Sequence, residues 1–159
     1  MTVETRFRVR YAETDQMGVV YYANYLVWME LGRVEYCRAV GVRYRDMEEQ
    51  DGILLAVAKA QCRYVQPARY DEEILVETEI AKAHARLVAF RYRIKRAEDG
   101  QLLAEGETTH VFCDRSMARR KLPSQFWAAF HIAASQVAPQ PSLQTLSDGP
   151  PAAHQDAGP

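Results

Sequence analysis

The chain has 159 residues, 48% hydrophobic and 26% charged, with a formal net charge of −1. That length suits one domain with a sizeable core, and the near-neutral balance argues against the basic surface that nucleic-acid binding calls for. Residues 1–6 open no apolar stretch of the kind a secretion signal needs, and the longest unbroken apolar run, 53–58, falls far short of a membrane span. Three cysteines, Cys37, Cys62 and Cys113, are odd in number and lack metal-ligand spacing. They point to free thiols in a reducing compartment and a cytoplasmic location.

In chain order, residues 6–11 alternate in polarity and predict a first strand with Phe7, Val9 and Tyr11 on one side. A loop over 12–22 leads to a helix over 24–40, with Asn24 as its N-cap and Gly41 as its C-cap. Set out at about 100° per residue, this helix gathers Leu26, Val27, Met29, Leu31, Val34, Cys37 and Val40 on one arc, with Trp28 and Glu35 opposite. Glu30 and Arg33 interrupt that arc, and their spacing lets them pair across one turn. A short helical piece follows over 44–50.

Residues 54–65 alternate small side chains (Ala56, Ala58, Ala60, Cys62) with larger or polar ones, a face that a helix can approach closely. Pro67 ends that strand. Ile74, Val76, Thr78 and Ile80 line the next strand, and Val88, Phe90, Tyr92 and Ile94 the one after, with Arg91, Arg93 and Lys95 facing out. Asp99-Gly100 makes a hairpin turn, and 102–114 returns as the last strand. One long helix and five strands predict an α+β fold, a single antiparallel sheet wrapped round the helix. Its open edge and outer face favour self-association. This domain takes residues 1–122. Beyond it, 123–135 predicts a short C-terminal helix with proline in its first turn. The stretch 136–159 holds five of the seven prolines and almost no large apolar residues, and predicts a disordered tail.

The residue inventory narrows the chemistry. No serine precedes Ser116, so the folded core lacks a serine nucleophile, and no G-x-S-x-G elbow occurs. The four histidines (His84, His110, His131, His154) stand apart, without metal-ligand spacing, and the eight glycines form no phosphate loop. The cysteines fall within strand or helix patterns, as small core residues do. A hydrolase built on this chain would use a carboxylate. Asp15 differs from the other acidic residues because it lies in a loop that carries Gly18 and delivers the chain to a helix N-terminus among Tyr11, Tyr21, Tyr22 and Tyr25. Free amides there can polarise a carbonyl oxygen, and an adjacent carboxylate can attack a carbonyl or deprotonate water. On the residues alone a second reading stands beside this one, in which Asp15 caps its own loop backbone.

The run from Arg10 to Tyr25 (RYAETDQMGVVYYANY), continuing to Glu30 and Arg33, resembles the 4-hydroxybenzoyl-CoA thioesterase family and, within it, the YbgC-type acyl-CoA thioesterases. Asp15, Gly18, Val19, Val20, Asn24, Tyr25, Glu30 and Arg33 carry the family pattern D-x-x-G-[VI]-V and E-x-x-R. A second matching stretch, 64–72 (YVQPARYDE), falls at the family's turn between the second and third strands. The resemblance covers about residues 5–122. It implies a hotdog fold assembled as dimers or tetramers, and hydrolysis of an acyl-CoA thioester with Asp15 as base or nucleophile and no cofactor or metal. It also implies a carbonyl oxygen held by backbone amides around Tyr22 to Asn24, with Gly18 and Val19 at the pocket and Leu54 contributing across a subunit interface. Many YbgC-type members carry histidine where this chain has Tyr22, so Tyr22 is expected to line the thioester pocket or donate a hydrogen bond instead.

Glu30 has a functional reading, since some hotdog enzymes use a helix carboxylate, beside the favoured one of a structural ion pair with Arg33. Arg119-Arg120-Lys121 suits coenzyme phosphates, against the favoured reading of a solvated basic run. The competing function is a non-catalytic acyl-CoA binding module. Acyl thioester dehydration ranks last, because no histidine lies in the Asp15 loop or the central helix.

Overall fold

The computed structural model describes residues 1–133. Five strands form one antiparallel sheet: β1 (Thr2–Arg8), β2 (Leu54–Tyr64), β3 (Glu73–His84), β4 (Leu87–Arg96) and β5 (Leu102–Cys113). Their spatial order is β1-β3-β4-β5-β2, so β1 and β2 are the edges. The long helix α1 (Asn24–Ala39) packs against β1 and β3, and the short helix α2 (Tyr44–Gln50) follows it. This is the hotdog arrangement that the resemblance implies.

Alternation sets the sheet's two faces. On β4, Val88, Phe90, Tyr92 and Ile94 are fully buried towards the helix, while Arg91 and Arg93 are exposed. The register then sets unlike charges side by side on the outer face: Arg91 with Glu79 at 3.1 Å, Arg63 with Glu105 at 2.6 Å, Lys95 with Glu77 at 2.5 Å. Cross-strand pairs of this kind favour the observed register, each by a fraction of a kcal/mol.

The first strand begins and ends earlier than its alternation predicts. Phe7 and Val9 face the core as expected, but β1 stops at Arg8, where its partner β3 begins at Glu73. Tyr11 then lies exposed in a 3-10 turn, Tyr11–Glu13.

Helix α1 departs further from expectation. Asn24 is not its cap: Ala23 holds that position in a helical conformation, and Asn24 sits in the first turn. The C-terminal end is as predicted. Gly41 adopts φ +81, its amide meets the Arg38 carbonyl at 3.1 Å, and the Val42 amide meets that of Cys37 at 2.8 Å, a Schellman motif that absorbs two of the helix's last carbonyls.

The helix is also rotated about its axis. Its buried residues are Tyr25, Trp28, Met29, Gly32, Arg33, Tyr36 and Cys37, whereas Leu26, Val27 and Leu31 are 41%, 42% and 40% exposed. Trp28, expected to face outward, is fully buried against Phe7 and Tyr25. The aromatic and glycine positions win the sheet because they combine large buried area with a close approach. A Cβ on Gly32 would stand 2.5 Å from Thr78 Oγ1, and one on Gly106 of β5 would overlap the Met29 thioether. These are the sites of close helix approach. The small-residue face of β2 is not: Ala58 and Ala60 are exposed.

Of the helix expected over 123–135, the described part, 123–133, forms a single 3-10 turn, Ser124–Phe126, followed by turns. His131 takes a left-handed φ of +57, which no continuing helix permits. The segment still packs: Phe130 and Ile132 join the core, with Phe130 on Phe112. The tail over 136–159 lies outside the described residues.

Candidate active site

The Asp15 loop is a small hairpin closed at its base by a bridge between Thr14 and Val20. The Asp15 amide donates to the Val19 carbonyl at 2.9 Å, and the Gly18 amide to the Asp15 carbonyl at 3.0 Å. Gly18 takes φ +74, a conformation that favours glycine at this tight tip. The Val20 amide reaches the Ala68 carbonyl at 2.8 Å, and Arg69 Nη1 reaches the Gly18 carbonyl at 3.4 Å. The two motif-bearing segments, 10–25 and 64–72, are therefore one site.

Between them lies a cleft of about 290 Å³, bounded by Asp15, Val19, Tyr22, Tyr25, Tyr64 and Pro67. A larger hollow of about 480 Å³ sits on the outer sheet face among Arg63, Arg91, Arg93 and Glu105. Its arginines are each already paired across the sheet, Arg63 with Glu105, Arg91 with Glu79 and Arg93 with Glu77, so the Asp15 cleft is the better place for chemistry.

Asp15 is half-buried, and both readings of it have geometry. One carboxylate oxygen, Oδ1, accepts the Met17 amide at 2.8 Å, the turn-capping bond an aspartate makes two residues on. Oδ2 accepts no hydrogen bond among the described residues. The capping bond occupies Oδ1 and leaves Oδ2 without a partner among the described residues.

The cleft wall is a stack of tyrosines. Tyr25 is buried, accepts the Ala68 amide at 3.0 Å and meets the Tyr64 ring edge-on at 5.2 Å. Tyr64 donates to the Tyr22 carbonyl at 3.1 Å. Burial raises the Tyr25 phenol and pushes Tyr64 up to about 12, so both stay protonated at neutral pH. Tyr22 itself is exposed at the rim, edge-on to Tyr64.

At the start of α1 the amides of Asn24, Tyr25 and Leu26 turn back onto the carbonyls of Tyr21, Tyr22 and Ala23 at 2.9 Å, 3.3 Å and 3.1 Å. The amides of Tyr22 and Ala23 have no hydrogen-bond partner among the described residues. Asn24 thus has no amide to offer a ligand, and its side chain donates to the Glu13 carbonyl at 2.9 Å. Leu54 opens β2 at the end opposite Tyr64, on the order of 30 Å along the strand. It is not brought to this cleft within one chain.

Sequence reasoning missed Glu13. It is only 4% exposed, its carboxylate accepts the Arg10 amide at 2.7 Å, Arg10 Nη2 at 3.1 Å and Trp28 Nε1 at 3.0 Å, and its carbonyl accepts the Tyr21 amide at 2.9 Å. Burial works against its charge, but the bonds from Arg10 and Trp28 outweigh it and hold the carboxyl below its ordinary range. Trp28 carries the only sequence signal, since a buried indole N–H needs an acceptor.

The expected Glu30–Arg33 pair does not form among the described residues: Glu30 is exposed, while Arg33 is buried with its guanidinium 6.0 Å from the centre of the Tyr44 ring. Arg120 of the basic run pairs with Asp114 at 2.9 Å, beside the Leu54 end of β2 rather than beside Asp15. Burial pushes the Cys37 thiol up to about 11 and raises Cys62, which leaves neither as a ready nucleophile. Among the described residues no helix is long and apolar enough to cross a membrane.

Comparison with known proteins shows the family. Residues 9–140 match the model of the thioesterase-like superfamily. YneP of Bacillus subtilis is 39% identical over 122 residues, 77% of this chain and 85% of that protein. The acyl-CoA thioester hydrolase YbgC of Escherichia coli O6:H1 is 34% identical over 128 residues, 77% of this chain and 91% of its own length. Among solved structures, the DHNA-CoA thioesterase of Staphylococcus aureus superposes with a TM-score of 0.75 at 31% identity, covering 82% of this chain and 86% of that one.

Proposed function

The chain belongs to the thioesterase-like superfamily and is an acyl-CoA thioesterase, and from that premise we propose that its reaction runs through Asp15. The observation that carries this is a cleft lined by both Asp15 and Tyr22 at the foot of α1, where, among the described residues, Asp15 Oδ2 and the successive amides of Tyr22 and Ala23 have no partner. In the proposed step the thioester carbonyl oxygen takes hydrogen bonds from those amides. Their charge stabilisation grows as the oxygen becomes an oxyanion. In one form Asp15 takes a proton from the attacking water, the C–S bond breaks, and that proton passes to the departing coenzyme A sulfur. In the other Asp15 attacks the carbonyl carbon, the thiolate leaves and takes a proton from water, and a second water hydrolyses the resulting anhydride to the free acid and the Asp15 carboxylate. Water and the chain's own groups suffice. Tyr22, Tyr25, Tyr64 and Val19 line the acyl side, and Gly18 lets the loop turn tightly enough to present Asp15.

A homodimer or homotetramer completes this reading. β2 offers eleven residues of unpaired strand edge, with Val57 58% exposed. A second copy paired antiparallel along that edge would bring its Leu54 end towards the first copy's Tyr64, which is how Leu54 would join the pocket. Three free cysteines, two of them buried, fit a reducing cytoplasm.

The test is thiol release over a panel of short, long, branched and aromatic acyl-CoAs, run in parallel on the Asp15→Asn protein. Turnover that vanishes in the variant supports the carboxylate role and gives the acyl preference. Undiminished turnover in Asp15→Asn would remove Asp15 from the mechanism. Tight acyl-CoA retention with no thiol release would favour the binding-module reading.

A further inference from the structure

We infer that Glu13 is the positioning residue of this site, an inference that rests on Asp15 being the reactive carboxylate. Five donors converge on Glu13, three on its carboxylate and two on its carbonyl. They come from three places that must keep a fixed relation: Arg10 at the exit of β1, Trp28 in the second turn of α1, and Tyr21 with Asn24 at the start of α1. Asp15 lies two residues after Glu13 in the chain, and the Tyr22 amide lies one residue after Tyr21. The attacking carboxylate and the amides that would receive the oxyanion are therefore hung from the same residue.

The arrangement is one a carboxylate makes better than any other side chain. Two anionic oxygens, themselves shielded from solvent, serve three N–H donors, and charge-assisted bonds are shorter and stronger than neutral ones. Removing the side chain would leave the buried Trp28 indole N–H and the Arg10 amide without an acceptor. The Asp15 hairpin would then keep the Arg69 contact at its tip, the Val20 contact to Ala68 at its base and the bonds to the Glu13 carbonyl, but lose the side-chain ties that fix it to Arg10 and to Trp28 of α1. A displacement of about 1 Å at a reacting group is enough to cost on the order of 10²-fold in rate.

The experiment compares Glu13→Ala, Glu13→Gln and Trp28→Phe with the wild type, using the acyl-CoA that the wild type hydrolyses fastest. Rates are normalised to folded protein by near-UV circular dichroism. A positioning role predicts that Glu13→Ala lowers kcat by roughly 10²-fold with KM within about threefold of wild type. Glu13→Gln, which keeps an oxygen for the Trp28 donor, should restore kcat to within about tenfold of wild type with an unchanged pH profile. Trp28→Phe removes one donor while leaving the carboxylate, and should lower kcat at constant KM even where Glu13→Ala fails to fold. The inference is overturned if kcat per folded molecule stays within about twofold of wild type in the variants that fold. It is also overturned if Glu13→Gln is as inactive as Glu13→Ala, which would mean that Glu13 itself exchanges a proton. Asp15→Asn measured alongside separates the two failures. A dead Asp15→Asn with fully active Glu13 variants sinks only the positioning role, whereas an active Asp15→Asn sinks the reading of Asp15 itself.

Discussion

The two ends of α1 treat buried charge in opposite ways. At its N-terminal end, Glu13 is sealed from solvent yet every part of it that can accept a hydrogen bond is used. Under its C-terminal half, Arg33 is 9% exposed and His110 is fully buried, and among the described residues Arg33 Nε and His110 Nδ1 have no partner, while His110 Nε2 meets Thr108 Oγ1 at 2.8 Å. Burial, with Arg33 adding repulsion, pushes His110 down to about 3 and keeps it neutral. One end converts polarity into fixed geometry where chemistry needs it. The other carries polarity at a net expense to stability, with Tyr92 bonded to Thr108 at 2.7 Å as partial compensation.

That contrast can be broken at either end. The largest effect expected is on turnover: Asp15→Asn should lower kcat on the order of 10³-fold, while its urea midpoint stays at the wild-type value, because Asn keeps the bond to the Met17 amide. Next, Trp28→Phe should destabilise by about 2 kcal/mol, the scale of a hydrogen bond to a charged group, read as a lower urea midpoint at unchanged slope. Third, Arg33→Met should be neutral or stabilising, by up to about 1 kcal/mol, because it removes a buried charge that meets no carboxylate among the described residues and leaves a side chain of similar length. A clear fall in midpoint would show that Arg33 is paired in the assembled protein. The fourth effect is the pH dependence of His110. Its folded pKa lies below its unfolded value of 6.5, so its contribution is fully present above about pH 6.5 and is lost as pH falls from there towards 3. Each pH unit within that window costs about 1.4 kcal/mol at most. Unfolding of wild type and His110→Asn at pH 7 and 5.5 should show a slope in the first that is smaller in the second.

Much of the fold was legible because sheet alternation is a local signal. The faces of β3 and β4 follow directly from Ile74, Val76, Thr78 and from Val88 to Ile94, and Gly41 marked the helix end by its freedom to adopt positive φ. The helix face was not legible. Leu26, Val27 and Leu31 outnumber their competitors on an aliphatic count, but which side meets the sheet is decided by Trp28, Tyr25 and the missing side chain of Gly32, which only matter once Val76 and Thr78 lie beneath them. The C-terminal segment failed for a related reason: Phe130 and Ile132 are captured by the sheet individually, and no regular helix presents both with His131 at positive φ. At the site, the D-x-x-G run located the Asp15 loop and its glycine. Neither the role of the Asn24 side chain nor the burial of Glu13 could be read, since both depend on a contact between residues eleven and fifteen positions apart.

Gly32 has one further consequence. Where two elements meet through side chains, each rotamer change alters their separation, and the joint has play. At Gly32 the helix meets Thr78 and Val76 with no side chain of its own between them, so the height of α1 above β3 is set by atomic radii. The helix rests on the sheet there as on a bearing, and its first turn, two turns away along about 13 Å of rigid rod, inherits that fixed height. The tolerance of the Asp15 cleft is thereby set in part at a residue that touches nothing in it.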